Sequence, residues 1–117
     1  MSRVHWLGTG LSSMPGLRKL LKTRYDTFVW NRTLEKAHSL LGDLTNNIYE
    51  FNINELEKKI KKGDVLISML PASHHLDIAR LCLKKNANFV SSSYISEEIQ
   101  KLNNDAIKQS LVFLNEV

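Results

Sequence analysis

Val4-His5-Trp6-Leu7-Gly8-Thr9-Gly10-Leu11-Ser12-Ser13-Met14-Pro15-Gly16 decides how this chain folds. Val4 to Leu7 is a short β-forming run that ends on the pair Gly8-x-Gly10. After a polar turn, Leu17, Leu20 and Leu21 recur at helical spacing. Strand, glycine turn and helix, in that order, is how an α/β sheet aims backbone N–H groups at a diphosphate. Gly8 is expected to permit the tight turn, and Gly10 to let phosphates approach where a Cβ would obstruct them. Ser13 stands where the third glycine of G-x-G-x-x-G belongs, and it is small enough for close helix–strand packing. Taken alone, the turn reads equally well as a dinucleotide cradle or as an ordinary strand-to-helix connection.

Downstream, strand and helix signals alternate to the end. A strand over 3–8 and a helix over 14–24, with Pro15 in its first turn, are followed by a strand over 26–31. Thr33 is expected to cap a helix that buries Leu34, Ala37, Leu40 and Leu41 before Gly42. A short strand over 47–51 precedes Ile53, Leu56 and Ile60, again at helical spacing. Lys58, Lys59, Lys61 and Lys62 crowd the expected end of that helix, where cations complement its dipole, and Gly63 is expected to supply the left-handed stop. The apolar run 64–70, closed by Pro71, suits a central parallel strand covered on both faces. A helix over 73–85 with Leu76, Ala79 and Leu83 inward leads to a strand over 89–92. Ser96 caps a last helix, with Ile99, Leu102 and Ala106 inward, and 111–114 is the sixth strand. The pattern predicts an α/β, Rossmann-type doubly wound parallel sheet of about six strands in the order 3-2-1-4-5-6, with right-handed crossovers.

The 117 residues suffice for one domain with its own core, and 43% hydrophobic with 24% charged residues is a globular composition. The one cysteine, Cys82, excludes an internal disulfide, and between Leu81 and Leu83 it is expected to be buried, as suits a reducing cytoplasm. No apolar stretch approaches the roughly 20 residues of a membrane span, and the N-terminus has no secretory pattern. A net charge of +4 raises nucleic acid as a partner. The lysine cluster is better explained as a solvated helix end, since no aromatic residues interleave it to stack on bases. The chain stops just after an apolar strand whose edge would need cover, so 1–117 is expected to be an N-terminal fragment of a longer protein.

The tip of the second strand selects the coenzyme. NAD-binding domains usually carry Asp or Glu there, about 20 residues past the glycines. Here Asn31 takes that place and Arg32-Thr33 follow. Asn31 does not repel a 2′-phosphate, Arg32 can hold one by a charge-assisted contact, and Thr33 can add a hydroxyl. The alternative is a surface arginine beside a helix cap. Ligands of such sheets lie beyond the carboxyl ends of the strands, which also nominates Asn52-Ile53, Leu70-Pro71 and Ser91-Ser92-Ser93-Tyr94. His74-His75 lacks an acidic or cysteine partner at ligand spacing, so a metal site is not expected; the pair is expected to be solvated at a helix start, with His75 at the cleft rim. No catalytic acid or base is evident.

In Leu7-Gly-Thr-Gly-Leu-Ser-Ser-Met-Pro15, Asn31-Arg-Thr-Leu-Glu-Lys-Ala37, Asp64-Val-Leu-Ile-Ser-Met-Leu-Pro71 followed by His75, Phe89-Val-Ser-Ser-Ser-Tyr-Ile-Ser96 and Asn115-Glu-Val117 the chain resembles the N-terminal nucleotide-binding domain of the saccharopine dehydrogenase family. The serine-rich fourth block is the most specific of these. The family catalyses reversible, NAD(P)-dependent reductive amination that joins or splits a lysine-derived aldehyde and glutamate. The resemblance implies NADP(H), with NAD(H) as the other coenzyme. Gly8, Thr9, Gly10, Leu11 and Ser12 would belong to the diphosphate turn, Asn31, Arg32 and Thr33 to the 2′-phosphate ribose, and Asn52 and Ile53 to the adenine, although the family often has Asp where Asn52 stands. Leu70, Ser91 and Ser92 would line the nicotinamide side, and Ser93 and Tyr94 would reach an amino-acid substrate. It also implies a following substrate and dimerisation domain, hence a homodimeric parent, with little or no turnover by this domain alone. Related enzymes that reduce imines in polyamine synthesis, and a non-catalytic nucleotide-sensing module, are the alternatives.

Overall fold

The computed structural model describes residues 3–8, 14–23, 25–70, 72–91, 97–109 and 113–115, apart from the side chains of 72, 97–100, 103 and 113–115. In chain order the elements are β1 (Arg3–Leu7), α1 (Met14–Leu21), β2 (Asp26–Asn31), α2 (Leu34–Leu41), β3 (Ile48–Glu50), α3 (Ile53–Lys59), β4 (Val65–Ser68), a 3-10 turn (Ala72–His74), α4 (His75–Lys85), β5 (Asn88–Ser91), α5 (Glu97–Lys108) and β6 (Phe113–Asn115). The strands form one sheet in the order β3-β2-β1-β4-β5-β6, and every pairing is parallel. Both the alternation and the strand order expected from the sequence are present.

Side chains alternate across the pleat and so divide the core in two. Leu7, Trp30, Leu66 and Phe89 face one side, where Leu56 and Ile60 at α3, Ile78, Ala79 and Cys82 of α4, and Ala106 of α5 close over them. Trp6, Val29 and Ile48 face the other side, against Leu17 of α1 and Ala37 and Leu41 of α2. β1 and β4 are neighbours whose following helices depart to opposite faces. This is the topological switch at which a crevice opens above such a sheet.

Several local expectations differ from what is observed. α3 ends at Lys59, because Ile60 turns extended and buries its side chain. Gly63 (φ +87°) therefore belongs to the turn into β4, not to the helix stop, and Lys61 and Lys62 share that turn. Thr33 occupies the N-cap of α2 but makes no side-chain capping bond, whereas Asn52 caps α3 through Oδ1, accepting from Asn54 N (2.9 Å) and Glu55 N (3.3 Å). Leu34 and Ile53 are exposed, and α4 turns His75, Ile78 and Cys82 inward together with the expected Ala79, with Leu83 packed partly buried against the same core. His75 is fully buried against the Phe89 ring, so it is neither solvated nor at a rim. Cys82 is buried as expected, and burial pushes its thiol well above the usual range. The expected cap at Ser96, the Ile99 side chain and the 111–112 start of the last strand lie outside the description.

Under α3 the sheet carries a buried polar set that the apolar pattern concealed. His5 shares a face with Leu7, and Trp30 Nε1–H donates to its Nδ1 (3.1 Å). The ring proton therefore sits on Nε2, which donates to Asp64 Oδ2 (3.0 Å). That oxygen also accepts from Lys61 N (2.9 Å) and lies 3.5 Å from Arg3 Nε. Phe28 stacks on His5 and Tyr49 on Trp30, each at 5.0 Å between centroids. Burial holds the His5 imidazole below its ordinary value, outweighing the hydrogen bond and charge of Asp64, which favour a proton. Burial likewise lowers His75, against a hydrogen bond to the Leu70 backbone.

The ladder runs on past the end of β1. Gly8 N donates to Trp30 O and Met69 N to Leu7 O, both at 2.7 Å. Gly8 has φ +96°, and a Cβ there would stand 3.2 Å from Met69 C and 3.3 Å from Met69 O.

Gly8→Ala combines an unfavourable φ with a backbone clash, so a loss of about 1–3 kcal/mol is expected in denaturant unfolding; an unchanged midpoint would contradict the crowding. Acid supplies a second check. Unfolded, the His5 and His75 rings titrate near 6.5, and folded they titrate lower. Below that value the unfolded chain binds more protons, so stability falls as pH falls. Thermal melts taken from about pH 7.5 down to about pH 5.5, above most carboxylate titration, are expected to show a falling midpoint, and a level profile would refute it.

Candidate functional site

The carboxyl ends of the strands gather on one edge of the sheet, and most of the described candidate residues lie along it. Gly8 closes β1, in the left-handed conformation and packed against the backbone of β4's end. Thr9, Gly10, Leu11, Ser12 and Ser13, which complete the glycine turn, lie outside the described residues, as do Pro71, Ser92, Ser93 and Tyr94.

At the tip of β2, Asn31 is buried, and its Nδ2 donates to Thr33 O (2.8 Å), closing the short turn that carries Arg32. Asn31 O accepts from Phe51 N (2.8 Å), which ties the tip of β2 to the loop after β3. Arg32 and Thr33 are exposed. No carboxylate occupies the position where one would meet a ribose hydroxyl.

Beyond β3, Asn52 and Ile53 open α3 and line a cleft of about 370 Å³ together with Phe51, Asn54, His74 and Asp77. Phe51 and His74 meet edge to face at 5.9 Å between centroids. The cleft has two aromatic rings, an exposed isoleucine and amide groups, which suits a flat heteroaromatic ring. Phe51 and Asp77 carry no motif in the sequence, and His74 is exposed at the start of α4, as expected of a solvated residue there. Only Phe51 had a positional signal, directly following β3; His74 and Asp77 lie six and nine residues past the end of β4, in the 3-10 turn and the first turn of α4. On the other side of the switch, Leu70 is partly buried with its N–H on Ser68 Oγ (3.4 Å), and Ser91, buried at the end of β5, stands in register with Ser68. Among the described residues no group of three His, Cys, Asp or Glu side chains could hold a metal ion, and no helix is long and apolar enough to cross a membrane.

The parts therefore suit a dinucleotide. A glycine at which a Cβ would crowd the backbone of Met69 follows β1, an exposed arginine follows β2, and a cleft of about 370 Å³ follows β3. The comparisons agree with that geometry. The saccharopine dehydrogenase (NADP+, L-glutamate-forming) of Schizosaccharomyces pombe is 26% identical over 122 residues, covering 100% of this chain and 27% of that protein. The apo saccharopine dehydrogenase (L-Glu forming) of Saccharomyces cerevisiae superposes with a TM-score of 0.82 at 26% identity, over 98% of this chain and 27% of that one. A UDP-N-acetylglucosamine 3-dehydrogenase of Acidithiobacillus ferrooxidans shares the fold (TM-score 0.73, 17% identity, 98% of this chain and 38% of that one). The chain thus spans about a quarter of the length of the saccharopine dehydrogenases it matches. The family model described as the saccharopine dehydrogenase NADP binding domain matches residues 4–114, and the chain belongs to that family, with NADP(H) as its coenzyme.

Proposed function

We propose that this domain holds NADP(H) along the carboxyl edge of its sheet, as the N-terminal part of a longer, saccharopine dehydrogenase-like oxidoreductase. The observation that carries the residue assignment is the tip of β2. There Asn31 spends its amide on closing the turn, its own position carries no carboxylate, and Arg32 stands exposed. Arg32 meets the 2′-phosphate, with Thr33 and Asn31 beside it. Gly8 begins the turn whose amides, from Thr9, Gly10, Leu11 and Ser12, take the diphosphate. Asn52 and Ile53 flank the adenine in the cleft below Phe51 and His74. Leu70, Ser91 and Ser92 border the nicotinamide, and Ser93 and Tyr94 meet the substrate.

Bound NADP(H) supplies or accepts the hydride. The chain's own part is to fix the coenzyme's position and to keep one face of the nicotinamide against the sheet edge. The parent reaction is reversible reductive amination that forms or splits a secondary amine between a lysine-derived aldehyde and glutamate. This rests on the likeness to L-glutamate-forming saccharopine dehydrogenases and on the share of their length that the chain spans. A homodimeric parent with an amino-acid substrate belongs to the same proposal. So does a cytoplasmic setting, which suits a buried thiol with no second cysteine to pair with.

Titrating NADPH and NADH into the protein while following nicotinamide fluorescence tests the assignment. NADPH is expected to bind more tightly, and equal affinity for the two, or none for either, would overturn it. Arg32→Ala is expected to cost about 1.5–3 kcal/mol toward NADPH, roughly tenfold or more in Kd, and to leave NADH unchanged. Asn31→Asp places a negative charge beside the 2′-phosphate and opens the turn at Thr33, so it is expected to reverse the preference.

A further inference from the structure

The buried polar set beneath α3 and the coenzyme edge meet in one residue. Trp30 uses its indole N–H on His5 Nδ1 (3.1 Å) and its carbonyl on the amide of Gly8 (2.7 Å). The next residue, Asn31, holds the Arg32 turn and the loop after β3. Trp30 therefore immediately precedes the groups proposed to hold the 2′-phosphate, and its carbonyl holds Gly8, the residue at which the diphosphate turn begins.

We propose that His5 and Trp30 are positioning residues for the coenzyme: neutral His5 holds Trp30 so that its carbonyl fixes Gly8, and a proton on His5 releases that hold and weakens coenzyme binding.

The chemistry follows from the tautomer. Nδ1 is the acceptor for the indole, and Nε2–H is committed to Asp64. A second ring proton can only go on Nδ1, where it would face the Trp30 N–H, donor against donor. Neither ring has room to turn aside, since Phe28 stacks on one and Tyr49 on the other, with both rings buried. The conflict must be relieved by moving Trp30 and, with it, the carbonyl that holds Gly8. The other titratable or charged groups around the pair are Arg3 on β1, Asp64 ahead of β4, Tyr49 on β3 and Lys59 on α3. Arg3 lies over Phe28 and Lys59 over Tyr49, and both cations disfavour the extra proton, whereas Asp64 favours it. Burial adds to the resistance, so the release falls on the acid side of an ordinary histidine.

The coenzyme half of this inference rests on the proposed function, and the structural half does not. The test therefore reads both. In the isotope-labelled protein without coenzyme, the His5 ring and the Gly8 amide are followed by NMR from about pH 7.5 to about pH 5.5, the range that spans histidine titration. They are expected to share one midpoint. NADPH Kd is measured over the same range for wild type and for His5→Asn, whose side-chain oxygen can accept from Trp30 but cannot titrate. Wild-type affinity is expected to fall by about fivefold more than that of the variant, the low end of ordinary coupling between sites. The comparison cancels the coenzyme's own 2′-phosphate, which titrates near 6. Equal pH dependence in the two proteins, or a Gly8 amide indifferent to His5, would overturn the proposal. If His5→Asn does not fold, Trp30→Phe retains an aromatic ring but has no N–H and is expected to uncouple Gly8 from His5; persistence of the shared midpoint would count against it. NADPH failing to bind at any pH, while Gly8 still follows His5, would sink the coenzyme assignment and leave the coupling standing.

Discussion

Position 8, where the ends of β1 and β4 come together, is crowded: a Cβ there would press on the backbone of Met69. Gly8 takes a positive φ, and its amide donates to Trp30 O. From these two central strands the chain crosses in opposite directions, β1 to β2 and β4 to β5, so right-handed connections put α1 over one face and α4 over the other. That divergence creates the crevice along which the candidate residues lie. The tips of β2 and β3 are then placed by the continuation of the same ladder, through Phe51 N to Asn31 O.

A histidine buried in the middle of a sheet is costly unless both nitrogens are satisfied. Here an indole and a carboxylate do so, and Asp64 in turn caps the turn at Lys61 while lying near Arg3. Position 5 of β1, the indole of β2 and the carboxylate before β4 are joined across three adjacent strands by this relay. A leucine at position 5 would pack the same face without fixing which way Trp30 points. The polar alternative gives up some burial energy and gains a single orientation.

Strand–helix alternation, the glycine turn and the apolar run of β4 carried the architecture, because each expresses a local rule that packing does not overturn. The β2 tip was legible for the same reason, since the position two elements after the glycines has a fixed relation to the crevice. Tertiary competition blurred the details. Ile60 left its helix because the core had room for it, and the lysines and Gly63 shifted into a turn. Adjacent histidines carry no periodicity to say which one faces inward, and the phase of α4, set by Ile78 and Cys82, turns His75 into the core. His5 was silent because one polar residue in a strand says nothing of partners at positions 30 and 64, far apart in sequence. Asp77 was silent too, since it reaches the cleft only where the start of α4 meets the loop after β3.

The sheet also acts as a partition. Trp6, Val29 and Ile48 pack in the layer with α1 and α2, while Leu7, Trp30 and Phe89 pack in the layer opposite. Repacking on one side reaches the other chiefly through the shared strands, so the two halves of the interior can drift through sequence space largely independently, each answerable mainly to its own volume. A backbone kept to a TM-score of 0.82 while nearly three residues in four have changed is the outcome such insulation permits.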